Sequence, residues 1–402
     1  MFTSPHLTRF RLSVPDSVLD DLNRRLDATR WPIPAPGSRW RWGTDAAFLQ
    51  GLVDHWRNAF DWRAWEARLN AYPQFRADVE GLDLHVIVER GSGDNPLPIV
   101  LSHGWPGSVF ELLALIDPLA HPDLHGGSVA DAFTVVVPSL PGFGLSPAPS
   151  EVLTPRALAG AWHKLMHDVL GFDRYVAHGG DTGATIASWM GLDANPHFPA
   201  IHLNTAVLFA DWTLADCPPD DEELAYIEQQ RNRMAGEDAY QAIHAEKPAT
   251  LSFSLADSPV GLAAWIVEKF HGWTSPGAPT LAAIDADHLL LNIMPYWLGL
   301  SHPVHWLYQS FRDRSGYRLP AGQKIETPAG FLLFPNDIVV APPRQWLDRA
   351  YTVASVRIAT KGGHFPGVEN PALLTQDLRE FFRPYRLAAD AETDRSGCHH
   401  PM

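Results

Sequence analysis

From residue 83 onward the chain alternates short apolar stretches with amphipathic ones, stops doing so over 212–325, and then resumes. Leu84–Val88, Ile99–Ser102, Phe133–Val137, Tyr175–Ala177 and 202–208 read as strands, with helices near 109–119 and 155–170 between them. The rhythm returns with Gly330–Phe334 and Thr352–Ile358 and closes on a helix near 371–382. Such alternation predicts an α/β protein built on a mostly parallel sheet covered by helices. The interruption, rich in helices and Pro/Gly-broken loops, reads as a helical lid inserted between two pieces of one sheet.

The segment before this region has a different character. Residues 15–27 predict a helix, with Pro15, Asp16 and Ser17 as N-terminal capping chemistry and Val18, Leu19, Leu22 and Leu26 at helical spacing. Trp31-Pro32-Ile33-Pro34-Ala35-Pro36-Gly37 fits neither helix nor central strand, because three prolines remove donors. Further helices are expected near 44–58 and 61–70. Trp31, Trp40, Trp42, Trp56, Trp62 and Trp65, six of the 15 tryptophans, fall here, so the segment is expected to wrap against a larger body. The resulting organisation is a wrapping domain (1–82), a sheet in two parts (83–211 and 326–387), a lid (212–325) and a disordered tail (388–402).

Composition narrows the function. Lys and Arg number 31 against 46 Asp and Glu, a net charge of 31 − 46 = −15, which disfavours nucleic acid and anionic membrane surfaces as partners. Cys217 and Cys398 are the two cysteines; they exclude a disulfide framework and leave no C-x-x-C metal site. The start of the chain lacks a basic stretch followed by an apolar run, and no run approaches the ~18 apolar residues of a membrane span. A cytoplasmic protein is expected, with the oligomeric state, a homodimer included, left open.

Tyr175-Val176-Ala177-His178-Gly179-Gly180-Asp181-Thr182-Gly183-Ala184 carries the most chemistry. A strand runs through small residues into a helix, the pattern of a nucleophile elbow, which exposes its central side chain beside a helix N-terminus. That side chain is Asp181 rather than serine; the same residues also fit a glycine turn with a helix-capping Asp. Ser102-His103-Gly104-Trp105-Pro106-Gly107-Ser108 leaves an earlier strand, so the amides of Trp105 and Thr182 are candidates for an oxyanion hole. An aspartyl ester needs a base to activate water. Lys361-Gly362-Gly363-His364-Phe365 supplies His364, and Phe334-Pro335-Asn336-Asp337 supplies Asp337 to orient it. Asp211 is a rival acid, less well framed by strand, Pro turn and helix. The order nucleophile, acid, histidine is that of α/β-hydrolases.

These residues make the sequence resemble the microsomal-type epoxide hydrolases over nearly its whole length. Arg25-Leu26-Asp27-Ala28-Thr29-Arg30-Trp31-Pro32, Phe60-Asp61-Trp62-Arg63 and Leu69-Asn70-Ala71-Tyr72-Pro73-Gln74-Phe75 resemble that family's amino-terminal domain. His103-Gly104-Trp105-Pro106-Gly107-Ser108, Pro138-Ser139-Leu140-Pro141-Gly142-Phe143-Gly144, Gly179-Gly180-Asp181 and Gly362-Gly363-His364-Phe365 resemble its catalytic domain. Asp257-Ser258-Pro259-Val260-Gly261-Leu262-Ala263-Ala264-Trp265 resembles its lid. The resemblance implies an α/β-hydrolase fold, no metal or organic cofactor, and two lid tyrosines that hold the epoxide oxygen. These map to Tyr240 and Tyr308, with Tyr296 a competitor for the second.

The implied reaction opens an epoxide to a vicinal diol through an ester on Asp181. Three departures stand out. Thr182 follows the nucleophile where the family commonly has Trp. His244 and Glu246 are unusual polar choices after Tyr240. No hydrophobic anchor precedes the wrapping domain, so a soluble, bacterial-like member is expected. Trp105, Trp297 and Trp306 point to an aromatic-lined pocket for a bulky epoxide, in secondary metabolism such as antibiotic biosynthesis or in detoxification. Haloalkane dehalogenation and a non-catalytic binding role are the alternatives. The first lacks a Trp donor after the nucleophile, and the second has no need of the full residue set.

Overall fold

In this computed structural model, residues 4–33, 36–37, 39–193, 198–206, 209–210, 218–274, 284–299, 305–312 and 316–386 are described, without the side chains of 209, 210, 305, 306 and 311. The strands are β1 (Leu7–Phe10), β2 (Gln74–Val79), β3 (Leu82–Glu89), β4 (Leu97–Ser102), β5 (Phe133–Pro138) and β6 (Val176–Gly179). They continue with β7 (Ile201–Leu203), β8 (Phe209–Ala210), β9 (Arg318–Leu319), β10 (Ile325–Leu333) and β11 (Tyr351–Ile358). Nine of them form one sheet in the order β1-β2-β3-β5-β4-β6-β7-β10-β11. Pairing is antiparallel from β1 to β5 and parallel from β5 to β11. Helices cover both faces of the parallel part, which is why β5 is buried along its whole length and reads as an apolar run interrupted only by Thr134.

The insertion leaves and rejoins the sheet through a small parallel pair, β8 with β9. Between them lie the helices Asp221–Met234, Ala239–Glu246, Pro248–Asp257, Pro259–Thr274, Ala286–Leu298 and His305–Arg312. Pro248–Asp257 and Pro259–Thr274 meet at a 119° bend, and among the described residues no single helix is long and apolar enough to cross a membrane.

The amino-terminal segment contributes two strands to the sheet, which the sequence reading does not anticipate. β1 and β2 add to its antiparallel edge, with Leu7 opposite Ala77 and Phe10 opposite Gln74. Four residues of β1 are too few for alternation to be read, and their partner lies far along the chain. Elsewhere the segment lies against the rest of the protein, with Trp31 and Trp42 left exposed. Leu22, Leu26, Leu52, Trp56 and Trp62 are buried, each worth about 1.5–3 kcal/mol on transfer from water. Arg25 bonds Asp257, Thr44 donates to the Ala264 carbonyl, His55 and Trp65 reach Asp287, and Trp40 stacks on His271. The segment thus straps the lid helices onto the sheet. The helix Asp16–Asp27 has no side-chain cap; Asp16 pairs with Arg63 instead. The helix Pro155–Lys164 passes into a π-turn at Leu165–Val169 rather than running on.

Candidate active site

β6 ends at Gly179, and the helix Thr182–Leu192 begins three residues later. Between them Asp181 takes φ 50° and ψ −127°, a conformation costing a non-glycine residue about 1–3 kcal/mol. The turn closes tightly on its neighbours. A Cβ on Gly183 would lie 2.0 Å from the Ser102 carbonyl oxygen, and one on Gly104 would lie 2.2 Å from Asp181 Oδ1. Small residues at these places let the elbow seat against the end of β4.

The loop after β4 is held by His103, whose Nε2 accepts the Leu140 amide at 3.1 Å. Burial pushes this imidazole down to about 4, so it is a neutral structural acceptor. The following peptide, Trp105–Pro106, is cis. The Trp105 N–H donates to Asp181 Oδ1 at 3.0 Å, the Thr182 hydroxyl donates to the same oxygen at 3.0 Å, and the Thr182 amide also bonds this carboxylate. The other oxygen, Oδ2, faces His364 Nε2 at 3.3 Å.

His364 stands in the loop after β11. Its Nδ1 lies 2.6 Å from Asp337 Oδ1, and both side chains are 2% exposed. Its own N–H donates to the Trp273 carbonyl at 2.9 Å. Glu369 accepts the amides on either side, Gly363 at 2.9 Å and Phe365 at 3.0 Å. Burial alone would lower the His364 pKa, but Asp337 and Asp181 outweigh it and hold it well above the usual histidine value. Burial likewise works to raise Asp181, and His364 with the Trp105 and Thr182 amides brings it below the ordinary carboxylate value.

The lid supplies an aromatic ceiling. Trp105 stacks on Tyr240 at 4.9 Å and meets His244, Trp273 and Tyr308 edge-on. The Tyr240 and Tyr308 hydroxyls are hydrogen-bonded to each other, and burial, reinforced by Asp181, raises the pKa of both. Both phenols therefore keep their protons at neutral pH.

The structure thus brings Asp181, His364, Asp337, Tyr240, Tyr308, Trp105 and Thr182 together. It does not bring Trp297 to this cluster: that ring sits under the Arg25 guanidinium, 5.7 Å away, at the seam between lid and wrapping segment. The side chain of Trp306, together with Asp211, Cys217, Cys398 and the tail, lies outside the described residues. Tyr296 donates its hydroxyl proton to the Gly107 carbonyl at 2.6 Å and is spent on holding that loop. His244 packs in the ceiling, where the Trp265 indole N–H donates to its Nε2, whereas Glu246 is exposed. Sequence reasoning missed Glu111, Trp273, Tyr317 and Glu369. Each looks like an ordinary helix or loop residue until the chain folds; only the spacing of Glu369 from His364 carried a local signal.

A carboxylate at the elbow after β6, served by a histidine and an acid from the loops after β11 and β10, defines an α/β-hydrolase fold with an aspartate-centred site. Residues 7–112 match the family model described as epoxide hydrolase N terminus, and 98–265 match that of the alpha/beta hydrolase fold. Epoxide hydrolase 1 of Oryctolagus cuniculus is 34% identical over 404 residues, covering 92% of this chain and 88% of that protein. Among solved structures, juvenile hormone epoxide hydrolase of Bombyx mori superimposes with TM-score 0.82 at 25% identity, covering 96% of each chain. Aspergillus niger epoxide hydrolase gives 0.81 at 29% identity, covering 95% of this chain and 97% of that one. The chain belongs to the epoxide hydrolase family.

Proposed function

We propose that this protein hydrolyses an epoxide to a vicinal diol through a covalent ester on Asp181. The observation that carries this reading is a carboxylate with one oxygen held by the Trp105 amide and the other facing a buried His–Asp pair, beneath two protonated tyrosines. Asp181 Oδ2 attacks a ring carbon, the C–O bond of the epoxide breaks, and the oxygen takes a proton from the Tyr240–Tyr308 pair. Esterification removes the Asp181 charge that helped keep His364 protonated, so its basicity falls, the imidazolium passes its proton to bulk water to become a neutral general base, and it regains that proton when Asp181 is freed.

His364 then takes a proton from water as the water oxygen bonds the ester Cγ. The carbonyl electron pair moves onto Oδ1, facing the Trp105 and Thr182 amides. Collapse breaks the bond from Cγ to the ester oxygen and releases the diol. Of the two water protons, one ends on the diol and the other restores the phenol. The aromatic ceiling supports an aromatic, bulky epoxide as substrate, and a soluble cytoplasmic enzyme of detoxification or secondary metabolism fits this chemistry. Styrene oxide with intact-mass detection is the test. Asp181→Ala is expected to abolish turnover, and His364→Gln to accumulate an enzyme heavier by one substrate. Turnover surviving in Asp181→Ala would overturn the proposal.

A further inference from the structure

We propose that the Thr182 side-chain hydroxyl is a third donor of the oxyanion hole and acts mainly on hydrolysis of the ester rather than on its formation. This rests on the ester reading above and assigns a role to a side chain whose backbone alone that reading uses. The geometry is direct. The hydroxyl donates to Asp181 Oδ1 at 3.0 Å, the same oxygen that accepts the Trp105 amide at 3.0 Å. That oxygen is the one left carrying charge when water adds to Cγ, because the alkyl group sits on Oδ2, the oxygen facing His364.

Thr182 is placed for this by its setting. It is buried, it opens the helix Thr182–Leu192, and its β-branch restricts the side chain to few rotamers. The buried Tyr317 hydroxyl bonds both the Thr182 side chain and Ser310. The Ser310 proton is donated to the Leu307 carbonyl at 2.7 Å, and the Thr182 proton goes to the carboxylate. A threonine hydroxyl carries a single proton, so this arrangement aims it at Oδ1.

The effect differs between the two chemical steps. In the free enzyme Oδ1 shares one negative charge with Oδ2, in the ester it is a neutral carbonyl oxygen, and in the tetrahedral intermediate it carries the charge alone. A donor aimed at Oδ1 therefore gains strength on going from ester to intermediate. Before attack it holds charge on the carboxylate and so restrains the nucleophile slightly.

The experiment follows single turnovers of styrene oxide by rapid quench and intact mass, comparing wild type with Thr182→Val, Thr182→Ser and Tyr317→Phe. Thr182→Val keeps the shape and the backbone donor. It is expected to slow ester hydrolysis by about 100-fold, the low end for removal of an oxyanion donor. Ester formation should be unchanged or up to about tenfold faster, so the adduct accumulates. Thr182→Ser should restore hydrolysis to within about threefold even if the valine variant folds poorly, and Tyr317→Phe should show the same split in smaller measure. Hydrolysis unchanged in Thr182→Val, or both steps slowed equally without rescue by serine, overturns this proposal while leaving the ester reading intact. An absence of any adduct in His364→Gln overturns both.

Discussion

Replacing Glu111 with glutamine removes a charge that the fold resists. Glu111 lies in the first turn of the helix Val109–Ala120, and a Cβ on Gly107 would stand 2.1 Å from its Oε2. No ion-pair partner for it occurs among the described residues. Burial pushes its carboxyl from the ordinary 4.5 up to about 8; the charge on His364 opposes this, and Asp181 and Glu369 add to it. Between those values the folded state keeps a proton that the unfolded state has released. The stabilising contribution is therefore whole below about pH 4.5 and is lost as pH rises through about 8. The difference of about 3.5, at ~1.4 kcal/mol for each, caps the loss near 5 kcal/mol. Partial exposure of the residue reduces it to roughly 2–3 kcal/mol. Glutamine is neutral throughout and escapes the loss. With ~2.1 cal/mol/K of unfolding entropy per residue over 402 residues, that corresponds to about 3 °C. Scanning calorimetry should find the melting temperatures of wild type and Glu111→Gln within about 1 °C at pH 5. At pH 9 the variant should melt about 3 °C higher. An offset equal at both pH values would refute the reasoning.

Three further outcomes follow from the same geometry. Tyr308→Phe should slow ring opening by about 10–100-fold in rapid-quench measurements. Tyr296→Phe should change it by less than about threefold and lower stability by about 1–2 kcal/mol in urea titration, because the Gly107 carbonyl loses its donor; the reverse pattern would exchange the two assignments. Glu369→Ala frees both peptide N–H groups that flank His364 and should slow ester hydrolysis about tenfold while sparing ester formation. Equal slowing of both steps would argue for general unfolding instead.

The strands and helices of the sheet were legible because their signals are local: buried parallel strands are near-continuous apolar runs, and covering helices repeat at 3.6 residues. Asp181, His364 and Asp337 were legible for the same reason, each standing in a short turn at a strand's end. The resemblance to a family added Tyr240 and Tyr308, which no periodicity marks. The edge strand β1 and its neighbour β2 were not legible, since Leu7 pairs with Ala77 across three intervening α-helices.

What the sequence determined by itself was the order of elements, the elbow and the identity of the charged groups, all set by neighbours within a few residues. The tertiary structure decided which aromatic groups face the reacting carboxylate. It turned Tyr296 to the Gly107 carbonyl and Trp297 to Arg25 while bringing Tyr308 onto Tyr240. It also set Glu111 in the field of His364 and aimed the Thr182 hydroxyl at Oδ1. Residues far apart in the chain meet only when lid, strap and sheet pack together, and hydrogen bonds a few ångströms long cannot be read before that packing exists.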